Sequence, residues 1–333
     1  MKLPRRICAV LIGTVFVVAG LLKLMDPTGA SLIVSDYLRF FHVEFLGFAS
    51  GFAGCGAALL ETLTGAALIT GIWKKGVAIL SGAMLAFFTV LTLLLWILNP
   101  EMDCGCFGEA LHLTHAQSFM KNVVLDLLWV CAFVPFRRLE SAGKRRYVSF
   151  FIVAAECVVF MIYSLAGIPL RDFTPYSVGT ELRMEGEDGL EDSPALSFFD
   201  EEGNYRDSLL FDGSVLVVSV WKPAAVRDWD KIEDFCSEAR AEGFNTLILC
   251  SGEAPLPFFY ADRRDLLSLN RSNAGVTLVS EGQIASKWAA SARPEAGKLK
   301  KEAATQMATS YISRGKLILH SFILGVFAVM LLV

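Results

Sequence analysis

Two cysteines separated by one glycine, in the run Asp103-Cys104-Gly105-Cys106-Phe107-Gly108, are the side chains best suited to chemistry in this chain of 333 residues. Residues at i and i+2 reach disulfide distance only with local strain, and Gly105 supplies the backbone freedom for the bend. A strained, exposed disulfide has a high reduction potential and passes on oxidising equivalents readily, so a redox centre is the leading chemical reading. A static bridge, a disulfide between subunits, uncoupled thiols and a metal site are the competing ones. Cys104, Cys106, His112 and His115 make a Cys2His2 set within twelve residues. Both C-x-C and H-x2-H are tighter than ordinary zinc spacing, and no metal is expected. Cys8, Cys55 and Cys131 read as packing residues distant from this loop, and Cys236 and Cys250 as small buried hydrophobes.

The elements that must position the pair are membrane helices. The hydrophobic set makes up 54% of the chain and charged residues only 19%, well below an ordinary soluble domain. Residues 1–168 hold 13 Lys/Arg and 10 Asp/Glu, the remainder 17 and 24, so the chain has two physical regimes. No stretch is basic enough for a nucleic-acid face, and nucleic acid is not an expected partner. About 20 apolar residues are needed to cross the hydrocarbon core. Six stretches are candidates: 7–25, 48–72, 76–98, 119–136, 148–168 and the short 317–333. A cleaved signal peptide is the rival reading of 7–25, because Lys2, Arg5 and Arg6 precede an apolar run. Without a small-x-small cleavage site, and with the run leading through Lys23 into Asp26-Pro27, a retained span is expected.

Lys/Arg asymmetry sets the expected orientation. Lys2, Arg5 and Arg6, then Lys74 and Lys75, then Arg137, Arg138, Lys144, Arg145 and Arg146 fall on one side, which should be the cytoplasm. The loops 26–44 and 99–118, with the cysteine pair, then lie outside together with residues 169–316.

Within that outer region 169–193 is acidic, weakly patterned and reads as a linker. Beyond it, 195–199 and 214–221 read as strands, 228–242 as a helix, 246–250 as a strand, 262–269 as a helix, and 275–279 with 283–288 as a hairpin turning at Glu281-Gly282. This order resembles a thioredoxin-like fold. Where active thioredoxins carry Trp-Cys-x-x-Cys, this chain has Trp221-Lys222-Pro223-Ala224-Ala225, and Asn273-Ala274-Gly275 stands where a cis-proline is usual. Thiol exchange at that loop is chemically impossible, so a binding or spacer role is expected of the domain.

The first 140 or so residues resemble the DoxX-like superfamily, in particular its MauE (methylamine-utilisation) branch. The resemblance is carried by Phe16-Val17-Val18-Ala19-Gly20-Leu21-Leu22-Lys23 running into Asp26-Pro27, by Asp36-Tyr37-Leu38, by Glu61, and by Asp103–Gly108 followed by Leu113-Thr114. It implies a four-helix bundle in a bacterial inner membrane, disulfide formation or maturation of a periplasmic protein, and, from DoxX-like relatives, a quinone as electron acceptor. Glu61, Asp126 and Glu156 lie at or near membrane depth, where a charge is costly. Glu61, deepest and among small residues, divides evenly between a structural role and a proton relay or quinone-head contact; the structural reading is favoured for the other two.

The expected architecture is therefore a mainly α membrane protein, a four-helix bundle with one or two extra spans and a thioredoxin-like α/β soluble domain. Its parts are a bundle over 1–140, a fifth helix over 141–168, a linker over 169–193, the soluble domain over 194–316 and a terminal helix over 317–333. The expected function is a thiol-redox protein with Cys104 and Cys106 reactive and Glu61 beside a quinone, contacting the bilayer and a periplasmic protein partner. A non-catalytic assembly scaffold is the alternative, and transport is disfavoured because no broken-helix pair marks the spans.

Overall fold

The computed structural model describes residues 3–134, 143–169, 171–184, 193–295, 299 and 316–325. Arg137 and Arg138, the second part of the expected linker and the last part of the terminal stretch lie outside the described residues. Contacts divide the chain into two units, Met1–Leu165 with Leu319–Val333, and Ala166–Ile318.

The first unit is helical. α1 (Leu3–Met25), α2 (Pro27–Phe40), α3 (Ser50–Thr70, entered through a 3-10 turn at Glu44–Ala49), α4 (Lys74–Leu98), α5 (His115–Phe133) and α6 (Lys144–Ala166) follow one another, with a short strand β1 (Cys106–Glu109) between α4 and α5. Among the described residues, four helices are long and apolar enough to cross a membrane: Leu3–Met25, Glu44–Thr70, Lys74–Leu98 and Lys144–Leu165. The chain is a multi-pass membrane protein in contact with lipid, and side chains such as Ile97 and Val159 stand bare on its outer faces. The expected fourth span, 119–136, corresponds to α5, which does not join that set because its first two turns carry His115, Gln117, Lys121 and Asn122. It nonetheless runs antiparallel along α4. Trp96 stacks on Phe119 with ring centroids 5.4 Å apart, Asn122 donates to Thr92 Oγ1 at 3.1 Å, Thr89 donates to Asp126 Oδ2 at 2.7 Å, and Trp129 Nε1 donates to the Ala78 carbonyl at 3.0 Å.

α1 and α3 cross closely because glycines meet at the crossing. A Cβ on Gly13 would lie 2.7 Å from the Gly65 carbonyl oxygen, and one on Gly65 would lie 2.6 Å from the Gly13 carbonyl oxygen. Small residues let backbones approach in a membrane, where no hydrophobic force drives helices together. This crossing sets Lys23 and Glu61 within reach of each other. Residues 26–44, expected as a loop, are largely helix α2. Asp26-Pro27 ends α1 and also starts the next helix: the Asp26 carboxylate accepts from Gly29 N at 2.9 Å and Pro27 occupies the first turn, where its missing N–H costs nothing. The basic residues gather at the other end of the bundle, where Arg5 donates to the Val134 carbonyl, Arg6 to those of Leu68 and Ile69, and Arg146 to that of Thr70. The terminal stretch is described as helix over Lys316–Gly325, too short in that portion to cross, and Phe322 stacks on Phe160 of α6 at 4.0 Å.

The second unit is a six-stranded mixed sheet in the order β2-β5-β4-β3-β6-β7. Its strands are β2 (Phe198–Phe199), β3 (Ser214–Val220), β4 (Asn245–Cys250), β5 (Phe259–Ala261), β6 (Gly275–Ser280) and β7 (Gln283–Trp288), with helices α7 (Asp230–Ala241) and α8 (Arg263–Leu269). β3, β4 and β5 are parallel, whereas β6 runs antiparallel to β3 and β7 antiparallel to β6. The Val/Leu run of β3 is buried on both faces, as a strand covered by helices on either side must be. Leu216, Val218 and Val220 pack with Ile232 and Phe235 of α7, and Val215 and Val217 with Leu266 and Leu269 of α8. The described part of the stretch read as a linker, 171–184, is laid along β7. Gly179 N donates to the Ile284 carbonyl and Leu182 N to that of Gly282, both at 2.8 Å. Tyr176 and Leu182 are buried, and Lys287 pairs with Asp172 at 2.5 Å. Two apolar anchors and one ion pair in an acidic stretch suffice to cover a sheet edge.

Candidate functional site

The cysteine loop hangs from α4 and is fastened by α2 and α5. Asn99, in the left-handed conformation, closes α4, and Thr114 opens α5 with a capping box, its hydroxyl accepting from Gln117 N while Gln117 Oε1 accepts from Thr114 N. Between these ends Tyr37 Oη donates to the Cys104 carbonyl at 2.7 Å and Ser118 Oγ donates to Cys104 Sγ at 2.9 Å. Gly105 has φ of +63°, and a Cβ there would lie 2.3 Å from Ile33 Cγ2. Only glycine fits the bend and the close approach of α2 at once. The two histidines point elsewhere: His112 Nδ1 lies 2.9 Å from Asp103 Oδ2 on the surface, and His115 Nε2 is 3.1 Å from the Pro100 carbonyl oxygen. Among the described residues no group of three or more His, Cys, Asp or Glu is arranged to hold a metal.

All eight cysteines are free thiols. Cys104 and Cys106 share a hydrogen bond that separates their acidities. Donation from the Cys104 thiol, helped by the Lys121 and Lys23 charges and opposed by burial, lowers Cys106 to about 5. The same bond and burial push Cys104 far up. Both shifts run the same way, favouring the thiolate at Cys106 and the thiol at Cys104. The thiolate is the nucleophilic form of cysteine.

Behind the loop lies a cavity of about 420 Å³, within the size range of small-molecule sites. Its wall is mostly apolar. α1 contributes Phe16 and Lys23, α2 Ile33 and Tyr37, α3 Gly54 and Glu61, α4 Phe87 and Phe88, the loop Cys104 to Cys106, and α5 Lys121 and Asn122. The three residues singled out in the sequence, Cys104, Cys106 and Glu61, thus line one cavity although Glu61 is more than forty positions from the pair. Glu61 is not alone there: Lys23 Nζ lies 2.7 Å from each of its carboxylate oxygens, and the two side chains are only 5% and 11% exposed. Lys121 sits 4.9 Å from the centre of the Phe107 ring. Asp126, bonded to Thr89, and Glu156 on α6 do not line the cavity.

Sequence reasoning missed Lys23, Tyr37, Ser118 and Lys121 as parts of the site. A lysine two positions from a helix end reads as interfacial, and its partner is set by the α1–α3 crossing. Glycines at 13 and 65 were the available signal for that crossing.

In the second unit, the loop after β3 contains a 3-10 turn at Pro223–Ala225 and no cysteine. The Asn273 side chain spans it, accepting from Lys222 N at 2.9 Å and donating to the Lys222 carbonyl at 3.0 Å. Cys236 and Cys250 are sealed in the core between the sheet and α7, and burial pushes both thiols up.

Compared with known families, residues 1–137 match the model of the family described as methylamine utilisation protein MauE. The match supports the MauE branch for the membrane part, which includes the cavity and the cysteine loop. No curated protein matches the chain.

Proposed function

We propose that the membrane unit is a thiol-redox centre in which Cys104 and Cys106 cycle between dithiol and disulfide, passing electrons to a quinone that enters the apolar cavity and oxidising, or helping to mature, a partner protein outside the membrane. The observation that carries this reading is that both sulfurs border the 420 Å³ cavity that also contains the Lys23–Glu61 pair. Phe16, Phe87 and Phe88 offer aromatic faces to a planar ring, and Lys23, Tyr37, Lys121 and Asn122 offer donors to its oxygens. A bound quinone supplies a two-electron acceptor. The protein holds the thiolate at Cys106 and keeps the proton on Cys104.

The basic end of the bundle is the cytoplasmic end by the positive-inside rule. The cysteine loop then faces the periplasm of a bacterial inner membrane, an oxidising compartment that suits a disulfide. The strand order and senses of the second unit support a thioredoxin-like domain whose cysteine-free, Asn273-spanned loop binds rather than reacts.

The test is the redox state of Cys104 and Cys106 in intact cells, trapped with a maleimide mass tag. A mixed population that shifts with respiration is expected, together with a mixed disulfide to the partner in a single-cysteine variant. Partner oxidation that persists in Cys106→Ser sinks the reading. A non-catalytic scaffold, favoured by the Asn273-spanned loop, predicts that both loop cysteines can be replaced freely while loss of the soluble unit abolishes complex formation.

A further inference from the structure

The ion pair in the cavity wall is an expensive feature. Charges at membrane depth are rare and mark functional sites by default, and a buried ion pair is weak evidence for stability because desolvation offsets much of the attraction. Lys23 and Glu61 are nonetheless 11% and 5% exposed and border the same space as Cys106. Each Glu61 oxygen lies 2.7 Å from Lys23 Nζ, so two of the three ammonium hydrogens are engaged and one remains for another acceptor.

We propose that Lys23, held in place by Glu61, is the proton donor to an oxygen of the quinone that the cysteine pair reduces. This rests on the redox reading above. The stoichiometry calls for such a group. Converting one thiol and one thiolate into a disulfide releases two electrons and one proton, whereas reducing a quinone to a quinol takes two electrons and two protons. As the Cys104–Cys106 S–S bond forms, the Cys104 thiol supplies one proton and the Lys23 ammonium the other. Lys23 is left as a neutral amine beside Glu61 until it takes a proton from water.

The titratable groups that line the cavity with Lys23 are Glu61 from α3, Tyr37 from α2, Cys104 and Cys106 from the loop, and Lys121 from α5, whereas α4 lines it with Phe87, Phe88, Leu91 and Thr92; β1, which carries Glu109, also packs against α1. Lys121 is the rival donor. It lies over Phe107 and helps to hold the Cys106 thiolate, which makes it a positioning charge.

Arginine separates these roles, because a guanidinium keeps the charge and the carboxylate pairing but does not give up its proton. The full chain, reduced and placed in lipid nanodiscs, is mixed with decylubiquinone, and loss of free thiols is followed by mass tagging. Lys23→Arg is expected to slow thiol oxidation about 100-fold, the scale of a lost general acid. Lys121→Arg should stay within a few-fold of the wild type. A slowing of the size expected for Lys23→Arg, found instead in Lys121→Arg together with a wild-type rate in Lys23→Arg, would overturn the assignment to Lys23 in favour of Lys121. In quinone-free protein, the pH dependence of Cys106 alkylation should be the same in Lys23→Arg as in the wild type. A wild-type rate in Lys23→Arg overturns the proton-donor role and leaves the redox centre standing. Wild-type thiols untouched by the quinone overturn both. Lys23→Met removes charge and proton together, and a loss of fold there leaves the arginine comparison decisive.

Discussion

The chain contains two places where thiol chemistry could sit, and they are built in opposite ways. In the membrane unit, Cys104 and Cys106 lie in a loop bent at Gly105, one sulfur hydrogen-bonded to the other and both bordering a cavity. In the second unit, the loop after β3 contains no cysteine, and Cys236 and Cys250 lie deep in the core. Burial alone raises a thiol, so two cysteines in an apolar core are chemically quiet. A second thiol as donor and lysines nearby turn the balance the other way for Cys106. Acidity follows from which polar groups stand next to the sulfur, and these three cysteines differ because the Cys104–Cys106 loop supplies such groups and the core of the second unit does not.

The largest effect that can sharpen this contrast is on acidity. Replacing the donor, Cys104→Ala, removes the bond that lowers Cys106 most, so its alkylation midpoint should climb from about 5 toward the ordinary thiol range. At pH 6 the thiolate fraction, and with it the alkylation rate, should fall roughly 100-fold. Mass spectrometry of singly alkylated protein across a pH series reads this directly. Cys236 and Cys250 in the same sample should stay unlabelled until denaturant is added. An unmoved midpoint would show that Cys104 is not the cause.

Gly105→Ala is the next largest. The left-handed conformation costs a residue with a Cβ about 1–2 kcal/mol, and the approach to Ile33 adds about 1–3 kcal/mol of overpacking. The loop should detach from α2 rather than the bundle unfold, because α1, α3, α4 and α5 are held by contacts elsewhere. Thermal unfolding should shift little while Cys104, now 7% exposed, becomes open to alkylating reagent. Ile33→Ala in the same background should restore the protection, since it removes the atom that the new Cβ meets.

The legible parts of the sequence were those in which one local pattern forces one outcome. The apolar stretches 7–25, 48–72, 76–98 and 148–168 are long helices because nothing else satisfies the backbone in hydrocarbon. The doubly buried strand at Ser214–Val220 and the hairpin at Glu281-Gly282 were equally plain. α2 was misread because Asp-Pro both stops a helix and starts one, and the choice depends on what packs next. The residues 171–184 were misread because edge pairing uses backbone groups, which leave no mark on side-chain pattern. In the site, spacing pointed to Cys104 and Cys106 and depth to Glu61, but Lys23 and Lys121 belong to the site through helix crossings. A salt bridge between α1 and α3 is a tertiary fact with no local signature.

The smallest expected effect tests the quiet side of the comparison. Asn273 joins its loop to the loop after β3 through two hydrogen bonds to Lys222, at 2.9 and 3.0 Å, across fifty-one positions of sequence. Both bonds are exposed, so Asn273→Ala lets water take over the freed Lys222 groups and should cost only about 1 kcal/mol. The Lys222 amide should exchange faster with solvent, whereas amides of β3 and β4 should keep their protection because the sheet pairing from Val215 to Val220 is untouched. The pH midpoint of Cys106 alkylation should be unchanged as well. If Asn273→Ala instead stopped the partner oxidation proposed above with the fold intact, the loop of the second unit would be part of the working surface, and the proposed division between a reacting loop in the first unit and a passive one in the second would fail.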